Sequence, residues 1–215
     1  MRMEDVLALF MMIALISFLG FVVENLWLAV TKGYMDNRNM VFPFLLGYGL
    51  AVFVIYLLFG TPEEMRIVGN AVVINSKTLS YGLYFGIVMV CISLGEIVLG
   101  TVVEKTCHFY WWDYSKLPLH ITRYTSIPTS AGFTLIIVLF MGKVFIPIYE
   151  WFLSWNQMIL AIVSVGLMIT MVIDYAYSTF YMYKNKRMQR RWRWDIPNNW
   201  FYRHLVKGKE GDSTI

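Results

Sequence analysis

Residues 6–30 read VLALFMMIALISFLGFVVENLWLAV, a run of 25 residues in which Glu24 is the one charged member. About 20 consecutive apolar residues in a helix are enough to cross the hydrocarbon core of a bilayer. The run is longer than the apolar region of a signal peptide, and no small-residue cleavage site follows it. We therefore expect an uncleaved first membrane span.

The whole chain shares this character, because 58% of its 215 residues are apolar and only 15% are charged. Soluble domains carry about 25% charged residues. The composition excludes a disordered chain, a coiled coil and a disulfide scaffold, and it argues against a water-soluble enzyme. Cys91 lies in an apolar run and Cys107 beside a charged loop, so the two do not indicate a disulfide framework.

Five apolar segments predict an all-α integral membrane protein, a bundle of about five transmembrane helices with a short basic cytoplasmic C-terminal tail. The predicted spans are 6–30, 40–59, 80–104, 127–149 and 157–183. We expect the bundle to occupy 1–183 and the basic, aromatic tail 184–215. The stretch 61–79 is too polar to cross and predicts a short surface segment.

Five spans place the termini on opposite sides of the membrane. One side then receives 14 Lys and Arg residues, nine of them in the tail, and the other side receives four. Basic residues mark the cytoplasmic side. The count predicts an outside N-terminus and a cytoplasmic C-terminus, with loops 31–39 and 105–126 on the cytoplasmic face.

Acidic residues occur inside the predicted spans, where ionisable groups are costly and are functional candidates. They are Glu24 in the first span, Glu96 and Glu104 in the third, and Asp174 in the fifth. With Glu104 at the cytoplasmic boundary, the helical rise places Glu24 roughly 10 Å, Glu96 roughly 12 Å and Asp174 roughly 15 Å deep.

These acids follow helical periodicity with small and polar residues. In the third span the stripe consists of Gly82, Gly86, Ser93, Glu96, Gly100 and Glu104. Small residues permit close helix packing in membranes. We expect the polar faces of three spans to converge on a cavity open to the cytoplasm, with Arg38 and Arg123 as its basic residues. Buried acid–arginine pairs that only fix helix packing are the alternative.

The two cytoplasmic loops hold most of the remaining polar residues. The first contains Asn37-Arg38-Asn39, and the second contains Trp112-Asp113-Tyr114-Ser115 and Arg123. Tyr and Trp at such positions form an interfacial aromatic belt, but a belt does not account for Asp113 or Arg38.

The pattern Ser17-Phe18-x-Gly20-x-x-x-Glu24, then Asn37-Arg38, Glu104-Lys105 and Trp112-Asp113-Tyr114-Ser115, resembles a bacterial membrane-protein family catalogued as ABC-transporter type IV, or CmpB-like. The resemblance spans about 17–123 and implies a small multi-pass protein of the bacterial inner membrane. Carried over residue by residue, it points to a binding site made of Glu24, Asn37, Arg38, Glu104, Trp112, Asp113, Tyr114, Ser115 and Arg123. To these the buried-acid argument adds Glu96 and Asp174.

Other motifs are weak. Cys107, His108, Asp113 and His120 lack metal-site spacing, so we expect no metal site, and the sequence points to no particular cofactor. The chain has no Walker A motif, so an ABC-linked role requires a separate ATPase or another membrane subunit. The tail favours anionic lipid over nucleic acid, because it is fixed at the cytoplasmic leaflet, where each cation contributes about 1 kcal/mol.

Three functions fit the sequence. The first is transport, with the buried acids binding a proton or cation or pairing with arginine. The second is a membrane-embedded enzyme acting on a lipid-like substrate. Its carboxylates and histidines would act as general acids or bases in a cavity lined by Glu24, Glu104, Asp113, His108, His120 and Arg38. The third is a non-catalytic partner subunit that packs through the small-residue stripe. The family resemblance favours a transport-associated role.

Overall fold

The computed structural model describes residues 2–67 and 70–196. The helices in this part of the chain are α1 Met3–Lys32, α2 Leu46–Phe59, α3 Lys77–Cys107, α4 Ile127–Lys143, α5 Phe145–Leu153 and α6 Gln157–Asn185. Three short antiparallel strand pairs accompany them: β1 Tyr34–Asp36 with β6 Arg193–Asp195, β2 Arg66–Ile67 with β3 Asn70–Ala71, and β4 His120–Thr122 with β5 Thr125–Ser126.

The structure is mainly helical and contains candidate membrane spans, as the sequence predicts. Helices α1, α3 and α6, with 30, 31 and 29 residues, are long and apolar enough to cross a bilayer. Helices α4 and α5 meet at a bend of 50°, and they form a fourth span if the pair is counted as one broken span. Helix α2 has 14 residues and begins six residues later than the predicted span at 40. The count of five spans therefore remains a prediction.

Local chemistry accounts for where the helices begin and break. The side chains of Ser76, Ser126 and Asn156 accept hydrogen bonds from the first free amides of α3, α4 and α6, which is the role of an N-cap. Pro147 has no N–H to donate to the Lys143 carbonyl, and its ring crowds that carbonyl. The fourth predicted span consequently breaks into α4 and α5.

The apolar core lies between the helices and includes Met65 from the segment between α2 and α3. Fully or almost fully buried side chains come from every helix: Met12, Val52, Tyr84, Val88, Met141, Phe145 and Leu160. Gly49 allows α2 to approach α1 closely, because a Cβ at this position would lie 2.4 Å from the Ile13 carbonyl oxygen. This packing fixes the start of α2 against the middle of α1.

The loops gather at two ends of the bundle. At one, which we call the basic end, the amide of Ile196 donates to the Gly33 carbonyl (2.9 Å) and Lys186 Nζ donates to the Thr106 carbonyl (3.3 Å). The C-terminal ends of α1, α3 and α6 therefore lie together. At the opposite end Gln157 Nε2 donates to Glu4 (3.0 Å). Loops 31–39 and 105–126 thus share one end, as the span order predicts.

Candidate functional site

The loop after α1 is built to aim Arg38 back at that helix. Residues 37–40 form a tight turn in which the Met40 amide donates to the Asn37 carbonyl at 2.8 Å. The two central residues, Arg38 and Asn39, have φ angles of 47° and 71°. Positive φ is common for Asn but unusual for Arg, and the surrounding contacts must hold Arg38 in this conformation.

Two side chains hold the turn in place. Asn25 of α1 accepts a hydrogen bond from the Asp36 amide at 2.9 Å, and Asp36 accepts one from the Arg38 amide at 2.9 Å. Asn25, Asp36 and Arg38 are each at least nine-tenths buried. The roles of Asn25 and Asp36 could not be predicted from the sequence, because they depend on the loop folding back onto α1.

Arg38 forms an ion pair with Glu24, through Nη2 and Oε1. The Arg38 side chain is 6% exposed and that of Glu24 is 19% exposed, so the pair is largely removed from solvent. Arg38 Nη1 also lies 3.8 Å from Asp36 Oδ1. Burial lowers the pKa of Arg38, but the carboxylates of Glu24 and Asp36 more than offset this and raise it. Arg38 is therefore a permanent cation.

Tyr48 of α2 completes the surroundings of Glu24. Its hydroxyl donates to Glu24 Oε2 at 3.1 Å. The ring reaches this position because Gly20 lies beneath it: a Cβ on Gly20 would be 2.6 Å from Tyr48 Cγ. The Gly20-x-x-x-Glu24 spacing in the sequence thus provides one turn of α1 that admits the ring and, on the next turn, the carboxylate that the hydroxyl binds.

Tyr114 joins this cluster from the loop between α3 and α4. It lies within electrostatic range of Glu96, Glu24 and Arg38. Burial raises the pKa of its phenol strongly, and the charges of Glu96 and Glu24 raise it further. We refer to Glu24, Arg38, Tyr48, Glu96 and Tyr114 as the central site. Tyr48 and Tyr114 supply its hydroxyl groups.

Glu96 faces the start of α4. Ser130 Oγ donates to Glu96 Oε2 at 3.0 Å, and Ser130 lies 2.8 Å from Thr125 Oγ1. The charges of Glu96 and Glu24 are near enough to interact. In the part of the chain that the structure describes, Glu96 makes no salt bridge.

The hydroxyl groups around Ser130 were missed by the sequence analysis. Their members are buried at the junction of β5 and α4: Thr125, Ser126, Thr129, Ser130 and Thr134. Thr134 Oγ1 has no hydrogen-bond partner among the described residues. The sequence shows these hydroxyl groups as repeated Ser and Thr around Pro128. Such residues also cap the N-terminus of an ordinary membrane span, so the sequence alone did not distinguish this segment.

Asp174 is placed differently from the other acids. Its carboxylate accepts hydrogen bonds from the amides of Val41 (2.9 Å) and Phe42 (2.8 Å) and from Ser178 Oγ (3.1 Å). These contacts tie the loop before α2 to the middle of α6. The structure thus brings Glu24 and Glu96 into one cluster and places Asp174 in an anchoring contact of its own.

A second group lies at the boundary of α3. Glu104 accepts a hydrogen bond from the Tyr124 hydroxyl. The ring of Tyr124 packs on Gly100, where a Cβ would lie 2.3 Å from Cδ1. Burial and the bond to Glu104 raise the pKa of Tyr124 to about 12. Trp112 Nε1 donates to the Tyr124 carbonyl at 2.8 Å and fixes the loop from the other side.

The Trp-Asp-Tyr-Ser motif divides between these groups. Asp113 accepts a hydrogen bond from the Ser115 amide (2.8 Å) and lies 3.8 Å from Arg123 Nε. The hydrogen bonds from Ser115, together with nearby Arg123, lower the pKa of Asp113. The Tyr114 amide donates to the Arg123 carbonyl at 2.7 Å. Asp113, Ser115 and Arg123 therefore shape the loop that delivers Tyr114 to the central site.

A surface depression of about 450 Å³ lies beside this second group, lined by Glu104, Lys105, His108, Phe109 and Tyr110. It includes one of the predicted site residues, Glu104. His120, an acid–base candidate from the sequence, is exposed, with Nδ1 3.1 Å from the Leu117 carbonyl oxygen. The predicted cavity with its full acidic and basic lining remains a prediction.

Comparison with known proteins identifies the family of this chain. The family described as "Putative ABC-transporter type IV" matches residues 10–179. This chain belongs to that family. The resemblance inferred from the sequence motifs is thereby confirmed, and the match includes the central site and its loops. No match was found among curated proteins or solved structures.

Membership in the ABC-transporter type IV family and the long apolar helices fit a multi-pass membrane protein associated with transport. The family also suggests a membrane complex, which could include an ATPase.

Proposed function

We propose that this protein is a transport-associated protein of the bacterial inner membrane, with its N-terminus outside and its C-terminus in the cytoplasm. The basic end, which carries loops 31–39 and 105–126 and the start of the tail, is then cytoplasmic by the positive-inside rule. In this proposal the central site binds the transported or coupling ion, a proton or a monovalent cation, and a separate ATPase or membrane subunit completes the complex.

The observation that carries the proposal is the charge balance of the central site. Glu24 and Asp36 share the single guanidinium of Arg38, while Glu96 has hydroxyl partners instead of a cation and lies within electrostatic range of Glu24. Carboxylates that approach one another in a medium of low dielectric constant bind a proton or cation more tightly than they do in water. The site therefore has more negative than positive charge to neutralise, which supports binding of a cation.

Arg38 supplies the second state of the proposed mechanism. When a proton or cation neutralises Glu24, the ion pair with Arg38 is weakened, and the guanidinium can turn toward Asp36 or the phenol of Tyr114. A buried pair that has an alternative partner is a two-state element, and such elements couple ion binding to conformational change.

Proton flux in proteoliposomes tests the proposal. Vesicles containing the purified full chain and entrapped pyranine receive a pH step, with valinomycin and potassium present to cancel the membrane potential. We expect flux with the native chain, its loss in Glu24→Gln and Glu96→Gln, and native flux in the control Glu150→Gln, whose exposed carboxylate lies at the opposite end. The same series in a sodium or potassium gradient identifies a cation. Undiminished flux in both site variants, or no ion flux with the native chain, would refute the proposal.

A partner-subunit role is the second candidate, and α3 favours it. The small-residue stripe is covered at Gly100 by Tyr124, but no atom lies within 4 Å of a Cβ built on Gly82 or Gly86. A photo-crosslinking residue at Gly86 should capture a membrane subunit, whereas one at exposed Val98, about 120° around the helix from Gly86, should not. Equal capture from the two positions would argue against a specific interface.

A further inference from the structure

The segment that follows α6 does not leave the bundle. Residues 186–196, which we call the strap, run back across the basic end to the loop after α1. Their last part forms β6, in which Trp194 pairs with Met35 and Arg193 with Asp36. The strap lies outside residues 10–179, the range that the family match covers, whereas the loop that it contacts lies inside that range.

Two asparagines hold the strap by its backbone. Asn39 Oδ1 accepts from the Gln189 amide at 2.7 Å, and Asn37 Oδ1 accepts from the Arg191 amide at 3.1 Å. Asn37 Nδ2 also donates to the Gln189 carbonyl at 3.1 Å. Both asparagines are 2% exposed. They are the immediate neighbours of Arg38, so the turn that aims Arg38 at Glu24 is also the turn that binds the strap.

Because the backbone of the strap makes these contacts, its charged side chains remain outside. Residues 184–196 contain six Lys and Arg residues and one acid, Asp195, and all six cations are exposed. Lys184, Arg187 and Arg190 form no ion pair with any described residue. Trp192 and Trp194 are 46% and 67% exposed among them. Exposed tryptophans interleaved with cations are typical of a surface that contacts lipid headgroups.

We propose that the strap is a binding surface for anionic lipid headgroups and that lipid bound there stabilises the conformation of the Asn37-Arg38-Asn39 turn. The charge complementarity is direct, since a cluster of cations immediately after a membrane helix lies within reach of the leaflet surface. Lipid that binds the outward side chains leaves the inward backbone contacts intact. Lipid binding and the docking of the strap on Asn37 and Asn39 therefore reinforce each other.

Hydrogen–deuterium exchange of the full chain in nanodiscs tests this inference without any transport measurement, so its failure and that of the proposed function are distinguishable. Nanodiscs of phosphatidylcholine are compared with nanodiscs containing phosphatidylglycerol. We expect the peptides covering 187–196 and 34–40 to exchange at least about fivefold more slowly with the anionic lipid. This factor corresponds to the free energy of about 1 kcal/mol that one cation contributes near a charged leaflet.

Variants separate the two halves of the proposal. Arg187→Gln/Arg190→Gln removes two cations that make no ion pair and should weaken the lipid effect while leaving exchange in phosphatidylcholine unchanged. Asn37→Ala/Asn39→Ala should make the strap exchange rapidly in both lipids. The matched control Arg66→Gln/Lys77→Gln, at the opposite end, should keep the lipid effect.

Equal exchange of the native chain in the two lipids would overturn the proposal, as would an undiminished lipid effect in Arg187→Gln/Arg190→Gln. Slower exchange in 187–196 without any change in 34–40 would refute the coupling to the turn.

Discussion

Replacing the two members of the Glu24–Arg38 pair singly and together tests whether they act as one buried unit. Removing one partner of a buried ion pair costs about 3–5 kcal/mol, because the other charge is left uncompensated. For Arg38→Met we expect about 3 kcal/mol, the lower end of that range, because Glu24 keeps its bond from Tyr48 and is 19% exposed. For Glu24→Gln we expect about 1–2 kcal/mol, because the guanidinium retains Asp36 nearby.

The double variant Glu24→Gln/Arg38→Met leaves no unpaired charge between these two positions, so its cost should be about 2 kcal/mol and the coupling about 2–3 kcal/mol. Equilibrium unfolding in mixed detergent and SDS micelles, followed by circular dichroism, measures the four free energies. The exposed pair Lys77–Glu63, with side chains 67% and 46% exposed, is the control and should couple by under about 1 kcal/mol. Costs that add to within about 0.5 kcal/mol at Glu24 and Arg38 would refute the reasoning.

Three further predictions concern the surrounding packing and loops. Gly100→Ala should destabilise the protein by about 1–3 kcal/mol, because the new methyl group would collide with Tyr124. Gly82→Ala, with open space around it, should not destabilise it. Thermal unfolding of the two variants distinguishes these effects, and equal effects would contradict the described packing of Tyr124 on Gly100. Asp174→Asn should cost about 1–3 kcal/mol, since the amide cannot accept from both backbone amides and the serine, and a stability equal to the native one would contradict this anchoring role. The pKa of Tyr124 is raised to about 12. The stability that its neutral phenol contributes should therefore be complete below pH about 10, the ordinary tyrosine pKa, and should be lost as the pH rises toward about 12. Tyr124→Phe should flatten the alkaline part of a pH–stability curve, and an unchanged slope would contradict the prediction.

The long helices could be predicted from the sequence because each has an apolar run that no soluble fold requires. Helix α2 was predicted six residues too early because Phe42-Pro43-Phe44 is as apolar as the helix itself. Hydropathy measures partition into lipid and is insensitive to whether the backbone is helical. The break at Val144 follows from Pro147, which the sequence displays, but a proline within an apolar run does not reveal whether a helix bends or ends.

The central site could be predicted only in part. Glu24, Glu96 and Arg38 are conspicuous because charge is rare in this chain, and the prediction that an intramembrane acid pairs with Arg38 matches the contact with Glu24. Tyr48 could not be distinguished from the other aromatic residues of an apolar helix. The basic, aromatic character of the strap was predicted, but its docking on the loop after α1 was not, since its three-residue strand pairs with residues more than 150 positions away and such strands carry no periodic signal.

The kind of hydrogen-bond donor that binds a carboxylate distinguishes two groups of acids. Some acids anchor a loop, and others can gain or lose a proton without releasing a loop. The Asp174 carboxylate is bound by the amides of Val41 and Phe42, which are fixed donors that stabilise a negative charge whether or not a ligand is present. Glu96 is bound by the hydroxyl of Ser130, which can rotate and can accept as well as donate. Glu24 is bound by the guanidinium of Arg38 and the phenol of Tyr48. Protonation of Glu24 or Glu96 would leave a donor free to reorient, whereas protonation of Asp174 would release the loop before α2. This difference is the reason why we propose Glu24 and Glu96, and not Asp174, as the acids that bind and release an ion.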